Sequence, residues 1–204
     1  MSNETISKFL DGKPEFTVIE AYKRLENIAE DMDSYRDYLS IVYISANGYA
    51  IATDAHVMAI LKLSEAETPE NDFGLPVVPH HKTDDLSLKE IDGEIKLKVE
   101  CEHKTDKSGI YDLADHMQFP NCEQVIPGLD YISESDNYVS FFSYELLHKL
   151  GEAICPEGST GIALSVHETD SYQIVESMGF GILMPMRRSE DTIPSVLFEL
   201  EGGE

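Results

Sequence analysis

Cysteine is scarce in this chain: Cys101, Cys122 and Cys155 are the only three among 204 residues. An odd number at wide spacing, without a CxxC pair, gives no disulfide framework. Three ordinary thiols in a reducing compartment are expected. Basic residues are few against the acids, 15 Lys and Arg to 39 Asp and Glu, for a formal net charge of −24. That balance argues against general coating of nucleic acid, which needs a basic footprint to neutralise phosphates. Long apolar runs are missing too. No stretch approaches the ~18 residues of a membrane span. Met1-Ser2-Asn3-Glu4-Thr5 has neither the basic start nor the apolar stretch of a secretory leader. A soluble, cytoplasmic protein is expected. Catalytic signatures are lacking: the chain has no GxxxxGK[ST], GxGxxG or HExxH, and no GxSxG. His80-His81 beside Asp84-Asp85, and Cys101-Glu102-His103, follow no recognised metal-ligand spacing. No catalytic residue, metal or cofactor is assigned, and a non-enzymatic protein is expected.

What is present is enough to build a core. Apolar residues make up 42% of the chain, and the length suits one domain or one and a half. Net charge falls from −4 over residues 1–64 to −9 over 65–128 and −11 over 129–204. Any surface that meets DNA is therefore expected nearer the N-terminal third.

Residues 17–31 place Val18, Tyr22, Leu25 and Ala29 on one helical stripe, with Thr17 as N-cap. A short strand is expected before it, at Lys13 to Phe16. Tyr38 to Leu63 is rich in β-branched and aromatic residues and carries Asn47-Gly48, a strong hairpin signal. It reads as a strand to Ala46, a tight turn, a strand from Tyr49, and a third strand from Val57 to Leu63. Residues 64–74 read as an acidic loop and Leu75 to Pro79 as a short strand. Asp84 to Ile91 reads as a short helix. Glu94 to Glu102 alternates Ile95, Leu97, Val99 and Cys101 with polar residues, a half-buried strand. A further strand is expected from Ile110 to Ala114. Residues 119–128 form an extended connection around Pro120 and Pro127. Tyr138 to Phe142 is a strand candidate, and Ser143 caps a helix from Tyr144 to Ala153. Strands follow at Gly161–Val166, Ser171–Ser177 and Phe180–Met186, ahead of an acidic tail from Ser189. A strand, a helix and three strands thus occur twice, at about 13–63 and 138–186.

Three short motifs stand out in this frame. Thr53-Asp54-Ala55-His56 precedes an apolar strand. Phe119-Pro120-Asn121-Cys122-Glu123-Gln124-Val125-Ile126-Pro127 is a proline-bounded linker, and Met184-Pro185-Met186-Arg187 closes the last strand. Together and in this order they resemble the TDGHR, FPDY-type linker and MPMR segments of the bacterial sliding clamp, the beta subunit of DNA polymerase III. The resemblance implies an α+β, DNA-clamp-like fold built of repeated strand–helix–three-strand units. It covers the chain in part. Residues 1–128 resemble the middle clamp domain with a shortened second half, 129–188 form a clamp-like half-domain, and 189–204 are an acidic tail. The alternative is one two-unit domain with 64–137 inserted between the units.

In that family the three segments converge on a hydrophobic pocket that receives peptides from polymerases and other replication proteins. By position, the resemblance implies a pocket drawn from Thr53, Ala55, His56, Val57 and Met58. Pro120, Gln124 and Val125 of the linker, and Ile182, Met184, Pro185, Met186 and Arg187 of the last strand, complete it. Methionine suits a groove that accepts several partners. Ala55 replaces the family glycine and Val57 the following arginine, while Glu123-Gln124 replaces a basic pair, so the rim is less basic. The competing explanation is that these apolar residues are strand positions packed in a core. The resemblance further implies oligomeric assembly around double-stranded DNA, with Lys23, Arg24, Arg36 and Lys149 facing it and His148 nearby. Glu20, Glu26 and Glu30 dilute the field of the first helix. Two rivals remain open: a monomeric clamp-fold interaction module or decoy without DNA, and an enzyme on an unrelated α+β fold.

Overall fold

In a computed structural model of the chain, the described residues are 4–29, 39–78, 84–100, 108–114, 142–162 and 172–184. The expected strands at Tyr138–Phe142 and Gly161–Val166 lie almost wholly outside them. So do the linker at 119–127 and the tail.

The first unit begins with strand β1 (Glu15–Phe16) and helix α2 (Val18–Leu25). Thr17 starts the helix through a reciprocal capping box. Its hydroxyl accepts the Glu20 N–H at 3.2 Å, while the Glu20 carboxylate accepts the Thr17 N–H at 2.9 Å and its hydroxyl at 2.8 Å. These bonds favour the charged carboxylate and lower the Glu20 pKa. The helix stops earlier than its apolar stripe suggests, because the Ile28 N–H turns back to the Leu25 carbonyl at 2.9 Å. Strands β2 (Ile41–Ser45), β3 (Tyr49–Thr53) and β4 (Val57–Leu63) form an antiparallel meander. β1 runs parallel to the end of β4. Strand β5 (Phe73–Pro76) pairs with β2, slightly ahead of its expected position, after a 3₁₀ turn at Glu65–Glu67.

A separate meander consists of β6 (Asp85–Ile91), β7 (Glu94–Glu100) and β8 (Gly109–Asp112). The expected helix at 84–91 is therefore a strand. Leu86 and Leu88 alternate with polar residues and lie opposite Val99 and Leu97 of β7. Pairing with an alternating neighbour decides the conformation over local propensity. Reciprocal bonds between Gly74 and Ala114, at 3.2 and 2.9 Å, attach this meander to β5.

The second unit contributes α3 (Tyr144–Ile154), capped by Ser143 as expected, then β9 (Tyr172–Val175) and β10 (Phe180–Leu183). β10 pairs antiparallel with β4, although some 120 residues separate them in the chain, and β9 lies outside it. The main sheet thus runs β5-β2-β3-β4-β10-β9, with β1 beside β4. Helices α2 and α3 cover one face. Val57, Ala59, Leu61 and Leu183 point into that core with Tyr22, Leu25, Leu150 and Ile154, and Leu97 and Val99 of β7 complete it.

The opposite face is also covered. A helix that has no counterpart among the expected elements, α1 (Glu4–Leu10), lies across it. Ile6, Phe9 and Leu10 pack with Tyr49, Ile51, Met58, Ile60, Phe180 and Ile182. The rings of Phe9 and Phe180 stack with centroids 4.3 Å apart. Their signal in the sequence is the i, i+3, i+4 spacing of Ile6, Phe9 and Leu10.

Candidate functional site

The β3–β4 connection is built by its own first two residues. Asp54 is 6% exposed, and its Oδ1 accepts the N–H groups of His56 and Val57, both at 2.8 Å. The Thr53 hydroxyl donates to the Val57 carbonyl at 2.8 Å and accepts the Ala55 N–H at 3.1 Å. Thr53 and Asp54 are thus committed to shaping the turn. The turn lifts Ala55 and His56 into solvent, with Ala55 at φ 72°. That left-handed conformation suits glycine better than an L-residue.

This turn meets the start of the Met184–Arg187 motif. The Met184 N–H donates to the His56 carbonyl at 2.9 Å, and two positions further Ile182 lies opposite Met58 in the β10–β4 ladder. Thr53 in turn lies opposite Met58 in the β3–β4 ladder. Thr53, Met58 and Ile182 therefore form one row across the outer face of the sheet, because partners in register share a face. Met184 lies two residues along the chain from Ile182, beside His56, and is 41% exposed, whereas Met58 and Ile182 are only 5% and 3% exposed. The result is an apolar floor buried beneath α1, with a half-open methionine and an exposed imidazole beside it. Alternation sends Val57 the other way, into the helix-side core at 2% exposure.

The structure thus brings Thr53, Ala55, His56, Met58, Ile182 and Met184 together and separates Val57 from them. Pro120, Gln124, Val125, Pro185, Met186 and Arg187 lie outside the described residues. Sequence reading did not identify the residues of α1 beside the same floor.

The basic candidates are placed on the helix side. Lys23 is exposed on α2 and Lys149 half-buried on α3; Arg36 lies outside the described residues. The Arg24 guanidinium is already engaged. It donates to the carbonyls of Glu152, Ala153 and Cys155 at 3.2–3.4 Å and rests 5.3 Å from the centre of the Phe16 ring. A cation at the C-terminal end of α3 satisfies carbonyls that have no helical partner. The groove between α2 and α3, about 1140 Å³, is edged by Glu20, Glu26, Glu152 and Glu157 as well as by Lys23 and His148. Within it Cys155 is buried, which raises its thiol pKa. Among the described residues no group of three or more His, Cys, Asp or Glu is placed to hold a metal. No described helix is long and apolar enough to cross a membrane.

No protein-family model matches the chain, and no curated protein matches it. Solved structures do. The chain is similar to the Helicobacter pylori beta clamp bound to a DNA ligase peptide, with a TM-score of 0.55 at 15% identity over 87% of this chain and 69% of that one. A putative DNA polymerase III beta subunit from Eubacterium rectale gives 0.51 at 10% identity, over 90% and 67%. The DNA polymerase III subunit beta of Pseudomonas aeruginosa gives 0.50 at 16%, over 82% and 63%. The chain has the DNA-clamp fold. Its α+β architecture is the one expected from the repeated units: β1, α2 and β2–β4 form the first, and α3, β9 and β10 are the described parts of the second. On this clamp fold, two of the three motifs meet at one point on the outer sheet face.

Proposed function

We infer that the chain is a non-enzymatic, sliding-clamp-like docking factor of DNA replication. It binds short peptides of replication proteins at the outer-face site around Met58, Ile182, Met184 and His56, and it assembles as an oligomer around double-stranded DNA. The observation that carries this reading is the bond from Met184 to the His56 carbonyl, with Ile182 opposite Met58. It joins segments that resemble two parts of a clamp peptide pocket, on a clamp fold. The Helicobacter pylori clamp solved with a DNA ligase peptide supports peptides of that kind as partners. The same β4–β10 pairing favours a single two-unit domain with residues 64–137 inserted between the units.

The test is binding of that ligase peptide to the full chain, read by fluorescence anisotropy. Met184 is half-open, so Met184→Ala removes rim contacts with little effect on folding. About a tenfold loss of affinity is expected, since a buried methionine contact is worth on the order of 1.5 kcal/mol or more. Unchanged binding in this variant places the peptide elsewhere.

One observation favours a second reading, a monomeric interaction module without DNA. Arg24 is spent on the α3 carbonyls, and Lys23 and Lys149 share their helices with Glu20, Glu145 and Glu152. Salt-sensitive retention on circular but not linear DNA supports the ring; no retention on either supports the module.

A further inference from the structure

The outer face that carries Met58 and Ile182 is already occupied by the chain's own first helix. α1 is seven residues long, too short to hold a helical conformation unaided, so its helicity depends on docking. Its contact is an apolar triad: Ile6 at 1%, Phe9 at 8% and Leu10 at 4% exposure. Phe9 stacks on Phe180, two residues before Ile182 on β10. The following turn joins α1 to β1 through Gly12, at φ 69°, with nothing within 4 Å of where a Cβ would stand. Among the described residues the Lys13 N–H donates to the Leu10 carbonyl at 3.1 Å across this turn, and the Lys13 ammonium, on the strand side of Gly12, donates to the Glu176 carbonyl at 2.6 Å. The segment therefore has a small, open pivot and a compact side-chain anchor.

We propose that α1 is an exchangeable resident of this surface, and that the surface takes short amphipathic segments with the aliphatic-x-x-aromatic-aliphatic spacing of Ile6, Phe9 and Leu10. This rests on the reading of the outer face as a docking site and defines its ligand class and its control. An incoming segment must displace α1 by rotation at Gly12 before it reaches Met58 and Ile182. A tethered competitor acts at an effective concentration of about millimolar. The apparent affinity for an outside peptide is accordingly reduced by the fraction of chains whose α1 is docked. His56 and Met184, outside the covered floor, remain available for a first encounter.

The test uses the full chain and a synthetic peptide of its own residues 1–12. Hydrogen exchange is expected to show α1 amides opening at least 100-fold faster than those of β4 and β10, and faster still in excess peptide, with β4 and β10 unchanged. A labelled copy of the peptide is expected to bind Phe9→Ala at least tenfold more tightly than the unaltered chain. A peptide bearing the same Phe9→Ala change is expected not to bind. If Phe9→Ala fails to fold, the exchange measurement on the unaltered chain decides alone. α1 amides as slow as those of β4 and β10, and unmoved by peptide, overturn the proposal. The DNA ligase peptide separates the two readings. If it binds the unaltered chain and Phe9→Ala equally and leaves α1 amides unmoved, docking stands and exchange falls. If the self-peptide exchanges with α1 but the ligase peptide binds neither form, exchange stands and the replication-docking reading falls.

Discussion

Ala55 occupies a conformation that costs an L-residue about 1–2 kcal/mol, in a turn fixed on both sides by Thr53 and Asp54. Its side chain is exposed and contributes no packing that offsets the strain. Ala55→Gly releases it, against the extra unfolded-state freedom of glycine, about 0.5–1 kcal/mol. A net gain of about 0.5–1 kcal/mol in urea unfolding is expected, and a loss means that the methyl group packs in some way the turn geometry does not reveal. Tyr22 carries a pH signature. Its hydroxyl donates to the Pro76 carbonyl at 3.0 Å and accepts the Val78 N–H at 3.2 Å, and burial raises its pKa well above the ordinary 10. The unfolded chain ionises this phenol near 10 while the folded chain keeps its proton. The contribution is therefore complete below about pH 10 and declines above it, by at most about 1.4 kcal/mol per pH unit. Tyr22→Phe is expected to cost about 1–3 kcal/mol at pH 7, and the gap should narrow by about 1 kcal/mol at pH 11. A gap of constant size excludes Tyr22 from the alkaline slope. At this scale the sequence reveals residue types and their alternation. It does not reveal that Met58 faces Ile182 rather than another strand, because no local pattern encodes a pairing across so much chain.

Elements were more legible than residues wherever period and punctuation agreed. The Asn47-Gly48 hairpin, the Thr17 and Ser143 caps and the strand at β7 all have local causes, and all appear in the fold, although Ile95 is 55% exposed where the alternation predicts burial, and Cys101 lies outside the described residues. β6 differs from the expected helix because its leucines suit either period until β7 lies beside them. α1 is not legible in the sequence because three apolar residues in a short segment gain meaning only from the sheet beneath. The seat of α3 is likewise tertiary. A Cβ on Gly181 would stand 2.6 Å from the Leu150 Cδ1 and 3.2 Å from the Ile154 Cδ1, so the bare backbone of β10 lets the helix lie close. Gly181→Val should cost about 1–3 kcal/mol by overpacking, read in urea melts. Arg24 fastens the same helix from its C-terminal end. Arg24→Ala should lower stability measurably, whereas Lys23→Ala, at an exposed position, should stay within about 0.5 kcal/mol. Equal effects of the two would remove the distinction between a fastening arginine and a solvated lysine.

At the scale of the whole molecule, charge is the dominant constraint. A chain of net −24 repels itself when folded and repels its copies when they meet. Both effects weaken as the Debye length falls from ~30 Å at 0.01 M salt to ~8 Å at 0.15 M. Raising sodium chloride from 10 to 300 mM should therefore raise the melting temperature. Each kcal/mol of relieved repulsion appears as roughly 2–4 °C at this size. Assembly should follow the same sign. β6 and β9 end their sheets among the described residues, and a strand edge offers backbone donors and acceptors to a second copy. Bonds of that kind are little affected by salt, while the repulsion opposing them is screened. Light scattering on a sizing column, over a protein concentration series at 50 and 500 mM salt, should therefore show a larger oligomeric fraction at the higher salt. Contact with DNA phosphates has the opposite dependence and weakens steeply as salt rises. A ring of this chain on DNA would be favoured by salt in its closure and disfavoured by salt in its grip, which gives retention on circular DNA a maximum at intermediate salt. Retention that falls monotonically from the lowest salt points to a local basic strip and simple phosphate binding. A strict monomer at every salt and concentration overturns the proposed oligomeric ring and favours the reading of the chain as a monomeric interaction module.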